Sequence, residues 1–334
     1  MILMALCGCA DSLVAPKVET SPPAIFKELW NEFDVRYATF AERHVNWDSL
    51  RLRFGSRITA STPDTDLLFA MDSLLMPLRD GHTSLSPMLR ILPRSLKLYY
   101  VHSDSTRQFN QSAVSSYYLG ETADLSSSGT LIFGRIHDTI GYIHIANFES
   151  FGTAWQNEID QVLQQLWDTK AMVLDVRGNQ GGSGASPEDF ASRFTSESRI
   201  YSYQQERTDH IRTDLSSPLA RSLEPRGECW TKPVIVLTDR VTMSAAEWFI
   251  LAMKAIPNVT TVGDTSQGAF SGRLDRELSN GWLYSMSFMR ISDANHICHE
   301  GIGLIPDIEV YVKENQRVVS PDTVLDRALL FLGH

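Results

Sequence analysis

The chain has 334 residues, 43% of them hydrophobic and 21% charged, with 40 acidic against 30 basic side chains and a formal net charge of -10. This composition is enough for one large packed core or two smaller ones, and the lack of any Lys/Arg-rich run argues against a surface that tracks nucleic-acid phosphates. No stretch approaches the roughly 18 to 20 apolar residues that a membrane-spanning helix needs.

The first nine residues, MILMALCGC, are apolar and give way at Ala10-Asp11-Ser12 to a polar stretch ending at Pro23. Leu6-Cys7-Gly8-Cys9 resembles a bacterial lipobox, which implies that Cys9 is acylated and becomes the first mature residue, that residues 1–23 are a signal and a tether, and that the protein resides in the cell envelope of a Gram-negative-type bacterium, as a lipoprotein or in the periplasm. Only Cys229 and Cys298 remain in the body, too few for a disulfide framework.

Phe26, Leu29, Trp30, Phe33, Tyr37 and Phe40 recur at three- and four-residue steps and predict one helix over 25–44. A shorter helix is expected over 47–58. A third is expected from Ser61-Thr62-Pro63-Asp64, where a hydroxyl, a proline and an acid make a start signal. It carries Leu67, Leu68, Met71, Leu74, Leu75 and Leu78 on one face. These helices define a small N-terminal bundle over 24–90. Strand-like runs follow at 96–101 and 141–145. Strands and helices then alternate: helix 155–169, strand 171–176, helix 187–194, strand 233–237, helix 244–256 and strand 259–262. Strands 274–278 and 282–289 flank Asn280-Gly281, and a helix over 322–332 closes the chain. The expected fold is α/β, over residues 91–334.

Three segments could carry chemistry. Leu174-Asp175-Val176-Arg177-Gly178-Asn179-Gln180-Gly181-Gly182 is a buried strand ending in a glycine-rich turn, where amides can be turned outward towards an anion. It has neither the Lys-Ser/Thr of a phosphate-binding loop nor the G-x-G-x-x-G of a dinucleotide fold. Val241-Thr242-Met243-Ser244-Ala245-Ala246-Glu247-Trp248 places a serine at the start of a helix, where taken alone it reads as an N-cap. The same position would stabilise an alkoxide and an oxyanion beside the Ala245 amide. Asp80-Gly81-His82-Thr83 ends the third helix and puts His82 on an exposed loop, where a lone histidine is weak evidence of a base.

In this order the segments resemble the tail-specific (C-terminal processing) and tricorn-core family of serine peptidases. The family pattern is D-G-H-S/T, D-x-R-x-N-x-G-G, Ser-Ala-x-Glu, V-G-D/E-x-x-x-G and E-G-x-G-I/V-x-P-D. The last two correspond here to Val262-Gly263-Asp264-Thr265-Ser266-Gln267-Gly268 and to Glu300-Gly301-Ile302-Gly303-Leu304-Ile305-Pro306-Asp307. The resemblance implies a crotonase/ClpP-like core of mixed sheets and helices, no cofactor, no metal, and a peptide or unfolded-protein substrate. Processing peptidases use a lysine directly after the last glycine of the fourth motif, and this chain has Ala269 there. Lys254 is no substitute, since ten helical residues from Ser244 is about 15 Å. The tricorn-like branch uses the histidine of the first motif and a glutamate opening the last. By that resemblance Ser244 is the nucleophile and His82 its base. Glu300 supports them from a distance, and the amides of Gly181 or Gly182 and of Ala245 form the oxyanion hole. The tricorn pattern also has a serine before the histidine, where this chain has Gly81. Fewer than sixty residues separate His82 from the strand at 141, so no PDZ domain of about 80 to 100 residues is expected there.

Two other readings exist. A binding protein on the same fold would need none of this chemistry. A metal-dependent hydrolase would use His296, Cys298, His299 and Glu300, but their spacing lacks the four-residue helical step of H-E-x-x-H.

Overall fold

The computed structural model describes residues 19–87, 109–208, 212–311 and 322–334. Cys9 with most of the expected tether, and the strand expected over 96–101, lie outside them. Among the described residues no helix is long and apolar enough to cross a membrane.

The single helix expected over 25–44 is two helices, α1 (Pro22–Arg36) and α2 (Phe40–Arg43). Apolar spacing persists through Tyr37, which is fully buried, yet its backbone turns extended (φ -66, ψ 116). Two tertiary bonds favour the break: the Ala38 amide donates to the Ser287 carbonyl at 3.2 Å, and the Tyr37 hydroxyl donates to Asp80 at 2.8 Å. Helix α3 (Trp47–Gly55) is capped by the Asn46 side chain, which accepts from the Ser49 amide at 3.0 Å. Helix α4 (Asp64–Leu75) starts after Pro63, with no side-chain cap, and runs into a 3-10 turn at Met76–Leu78. Neither hydroxyl of the expected start signal caps it, and Thr62 Oγ1 accepts instead from the Thr59 amide at 2.8 Å. Trp30, Phe33, Trp47, Met71 and Leu74 pack together, and share their core with Trp282, Tyr284 and Met286 from later strands.

The chain continues through β1 (Ser84–Ser86), α5 (Gln111–Val114), β2 (Asp124–Leu125), β3 (Leu131–Ile136) and β4 (Ile140–Ile145). Next come α6 (Gly152–Leu166), β5 (Ala171–Asp175), α7 (Ser186–Ala191), β6 (Arg199–Glu206) and β7 (Leu219–Leu223). Then follow β8 (Val234–Thr238), α8 (Ala245–Lys254), β9 (Val259–Gly263), β10 (Arg273–Glu277) and β11 (Leu283–Ser287). Strands β12 (Met289–Asp293) and β13 (Ile308–Glu309) precede the closing helix α9 (Thr323–Phe331). This is the mixed α/β architecture the sequence implies.

The seven-stranded sheet has the order β13-β9-β8-β5-β4-β3-β2 and is parallel from β13 to β4. Its central strands are buried on both faces, as parallel strands flanked by helices must be. Met172, Leu174, Val234 and Val236 face a core shared with α6, α7 and α8, whereas Val173, Ile235 and Leu237 face Leu325 and Leu329 of α9. That alternation follows the two-residue period of a strand. Two three-stranded sheets, β1-β11-β10 and β12-β6-β7, complete the fold. The carboxyl ends of β5 and β8 open at one edge, where ligands gather in open parallel sheets.

Candidate active site

The turn after β5 is locked from beneath. Arg177 pairs with Asp175 at 2.6 Å and with Asp322 at 2.9 Å, and the Tyr142 hydroxyl donates to Asp175 at 2.7 Å. Above them Asn179 is fully buried: its Nδ2 donates to the Ile145 carbonyl at 2.9 Å, and its Oδ1 accepts the Gly181 amide at 2.8 Å. Gly181 (φ +99) has no room for a side chain, because a Cβ would lie 2.8 Å from Ser244 Cβ and 2.9 Å from the Ala245 nitrogen. Gly182 (φ +145) is tighter, with a Cβ reaching 2.7 Å from the Glu149 nitrogen and closer still to the Phe148 carbonyl. The Gly181 amide is therefore already committed to Asn179. Among the described residues no acceptor engages the Gly182 and Ala245 amides, and both residues line the same cavity as Ser244.

Ser244 is the N-cap residue of α8 and adopts φ 57, ψ -126, a conformation non-glycine residues rarely take. Its amide is shared between the Ala269 carbonyl and Glu247 Oε2, each at 3.1 Å. Glu247, fully buried, also accepts the Gly268 amide at 2.6 Å, the Ala269 amide at 2.9 Å and the Ser266 hydroxyl at 2.6 Å. Burial pushes this carboxyl up to about 7, against the pull of those four donors. The strained backbone projects Ser244 Oγ to 3.1 Å from His82 Nε2.

His82 does not sit on an exposed loop: it is only 5% exposed. The Asp80 carboxylate turns back to accept the His82 amide at 2.8 Å, and the Ser285 hydroxyl donates to the His82 carbonyl at 2.7 Å. Strand pairing of β1 with β11 thus folds the D-G-H turn into the protein, which a reading of helix-ending glycine could not reveal. Burial lowers the pKa of His82 below that of a free imidazole, with Asp80 opposing and Arg273 and Arg43 reinforcing the shift.

Glu300 lies behind this pair and does not touch His82. Its Oε2 accepts the Phe270 amide at 2.8 Å and the Ser271 amide at 3.1 Å, steadying the segment whose Ala269 carbonyl holds the Ser244 amide. Its Oε1 bonds Arg43 of α2, and Arg43 Nη2 lies 4.0 Å from Asp80. Burial raises the Glu300 carboxyl above the usual carboxylate range, against the opposing Arg43 charge. Arg43, Asp80, Tyr37, Asn179 and Glu247 are the site's unforeseen members. Asp80, Asn179 and Glu247 did lie within quoted motifs, whereas Arg43 had no local signal.

His82, Ser244, Gly182 and Ala245 border a cavity of about 730 Å³. Trp248, Met243, Phe288 and Met289 give it an apolar wall, and Arg273 and Glu149 a charged rim. Trp248 is fixed, its Nε1 donating to the Phe270 carbonyl at 2.7 Å and its ring covered by Arg221 at 4.4 Å. Ala269 is buried at the processing-peptidase lysine position, and Lys254 is engaged with Asp307 at 2.5 Å. The other proposed ligand set separates: His299 pairs with Asp293 at 2.9 Å, His296 stacks on Tyr203, and Glu300 turns to Arg43. Cys298 and Cys229 are free thiols.

The sequence pattern of peptidase family S41 matches residues 139–310, just over half of the chain. A carboxyl-terminal-processing protease of Synechocystis sp. is 27% identical over 204 residues, covering 59% of this chain and 44% of that protein. A candidate peptidase of Parabacteroides merdae, known from its crystal structure, is 28% identical and superposes with a TM-score of 0.84 over 94% of this chain and 97% of that one. The tricorn protease superposes over 93% of this chain and 36% of that chain, with a TM-score of 0.58 at 15% identity, a likeness of fold alone. The chain spans less than half the length of the curated relatives it matches. With its strand-borne glycine turn, its α8 serine and this family match taken together, the chain belongs to peptidase family S41.

Proposed function

We propose that the chain is a serine-type peptidase whose nucleophile is Ser244 and whose general base is His82. The observation that carries this reading is the 3.1 Å approach of His82 Nε2 to Ser244 Oγ. The lowered pKa of His82 supports it, because the imidazole is then neutral, and able to accept a proton, at neutral pH. Nε2 takes the hydroxyl proton as Oγ adds to a peptide carbonyl. The carbonyl oxygen becomes an oxyanion beside the free amides of Gly182 and Ala245, where the start of α8 also favours negative charge. The imidazolium then returns its proton to the departing amine, leaving an acyl-enzyme that water hydrolyses by the same route. Glu300 supports both partners without contacting the substrate.

The substrate in this reading is a peptide or unfolded protein chain taken into the open cavity, without a PDZ groove to select its terminus. Residues 9–23 would hold the protein in the cell envelope through a lipid on Cys9, residues 1–8 being removed as a signal. A fluorophosphonate probe tests the chemistry: labelling should map to Ser244, and His82→Ala should slow it by about 10⁴-fold or more. Peptide binding by a folded protein that the probe leaves unlabelled would overturn the proposal in favour of a binding protein.

A further inference from the structure

Glu300 and His82 do not touch, and the serine that the tricorn-like pattern places before the histidine is Gly81 here. Something else must join them if Glu300 is to influence the base. One buried side chain spans the gap. Arg43 Nη2 bonds Glu300 Oε1 and lies 4.0 Å from Asp80 Oδ1, while its Nη1 donates to the Arg79 carbonyl at 2.9 Å. Both arms of the guanidinium are thereby used, one on the glutamate and one on the turn that carries Asp80 and His82. That planar fork is something a lysine cannot reproduce.

Several features of the fold exist around this arginine. The break after Tyr37 and the left-handed His44 (φ 52) isolate α2 as a single turn that presents Arg43 inward. Gly301 (φ +77) leaves space for it, since a Cβ there would lie 2.9 Å from Arg43 Nη1. Tyr37 closes the far end, donating to Asp80 Oδ2 at 2.8 Å while Oδ1 takes the His82 amide. Burial works against the Arg43 charge, but the Glu300 and Asp80 carboxyl groups beside it hold it protonated.

We infer that Arg43 is the positioning residue that couples Glu300 to the Asp80–His82 turn. The inference rests on the Ser244–His82 reading and adds to it that the base is aimed by the N-terminal helices, outside the family match at 139–310. Arg43 touches no reacting atom. It fixes the turn from which the imidazole projects, and its charge, with that of Arg273, opposes protonation of His82, whereas Asp80 and Asp275 favour it.

The test measures the fluorophosphonate labelling rate of Ser244 in the full chain across the acid limb of its pH profile, with melting curves to confirm folding. Arg43→Met paired with Glu300→Gln, which avoids stranding a buried carboxylate, should slow labelling by about 10²-fold. It should also move the limb to higher pH, because a cation beside the base is lost. Asp80→Asn keeps an acceptor for the His82 amide and should move the limb to lower pH. Arg43→Lys keeps the charge, so the limb should stay while the rate falls. Folded variants with native rates and limbs, or limbs that all move one way, would overturn the inference while leaving the Ser–His reading intact. A native protein unlabelled at Ser244, or labelled equally in His82→Ala, would overturn both. Should the double variant fail to fold, the two single variants decide.

Discussion

The two partners of the 3.1 Å contact are held in opposite ways. Ser244 is fixed almost wholly by backbone: its amide bonds Ala269 and Glu247, Gly181 packs against its Cβ, and Gly182 pairs with Phe148 at the cavity edge. His82 is fixed by side-chain charge, through Asp80, Arg43, Tyr37 and Glu300, drawn from parts of the sequence far apart. The serine side should be intolerant of added volume and the histidine side intolerant of changed charge. A hydroxyl needs one position in space, which main chain supplies. A base needs a position and a protonation state, and the second is set by neighbouring charges.

The sharpest way to break the contrast is Gly182→Ala. A methyl group against the Phe148 carbonyl at φ +145 should cost about 3 kcal/mol and abolish hydrolysis, read by a denaturant melt and a peptide assay. Next comes Glu247→Gln, at the side chain that accepts the Ser244 amide. The NH2 of the glutamine would face donors that one carboxylate oxygen now accepts, so stability should fall by about 1–3 kcal/mol and probe labelling should slow. A subtler measurement sharpens the histidine side. Since burial lowers the pKa of His82, the neutral base persists to lower pH, and the acid limb of kcat/KM should have its midpoint below the value of about 6.5 for a free imidazole. A midpoint above that value would mean Asp80 dominates over burial. The smallest effect belongs to Lys254→Met. It removes a partly exposed pair with Asp307, should alter stability by less than about 1 kcal/mol, and should leave hydrolysis unchanged. A large loss of activity would point to a lysine base after all.

The serine side was also the legible one. Strands β5 and β8 stand out as apolar runs because both faces are buried, and the glycine turn and Ser244 follow them directly in sequence. The histidine side was hidden for physical reasons. The apolar spacing of α1 continues through Tyr37 because the side chain stays buried while the backbone leaves the helix, so periodicity could not report the break. The burial of His82 depends on β11, some two hundred residues later, and the partnership of Arg43 with Glu300 spans 257 residues. Strands β6 and β7 escaped notice because their exposed faces are polar and mixed, giving no apolar run to count. Which of two neighbouring glycines keeps a free amide was decided by the side chain of Asn179, and a motif carries no such information.

The loop between β6 and β7 has a consequence for how the enzyme would come apart. Arg207 donates to the Asp34 carbonyl at 3.2 Å, and Arg212 bonds the Asp34 side chain at 2.6 Å and Asp48 at 2.8 Å while lying over Trp30 and Phe40. At the other end of the same hairpin, Arg221 covers Trp248 on the cavity wall. One ribbon therefore clasps the N-terminal helices and also braces the wall of the cavity. Heat or denaturant that loosens the helices must also release the clasp, so the cavity wall and the setting of His82 should be lost in one cooperative step rather than leaving a half-assembled, indiscriminate peptidase.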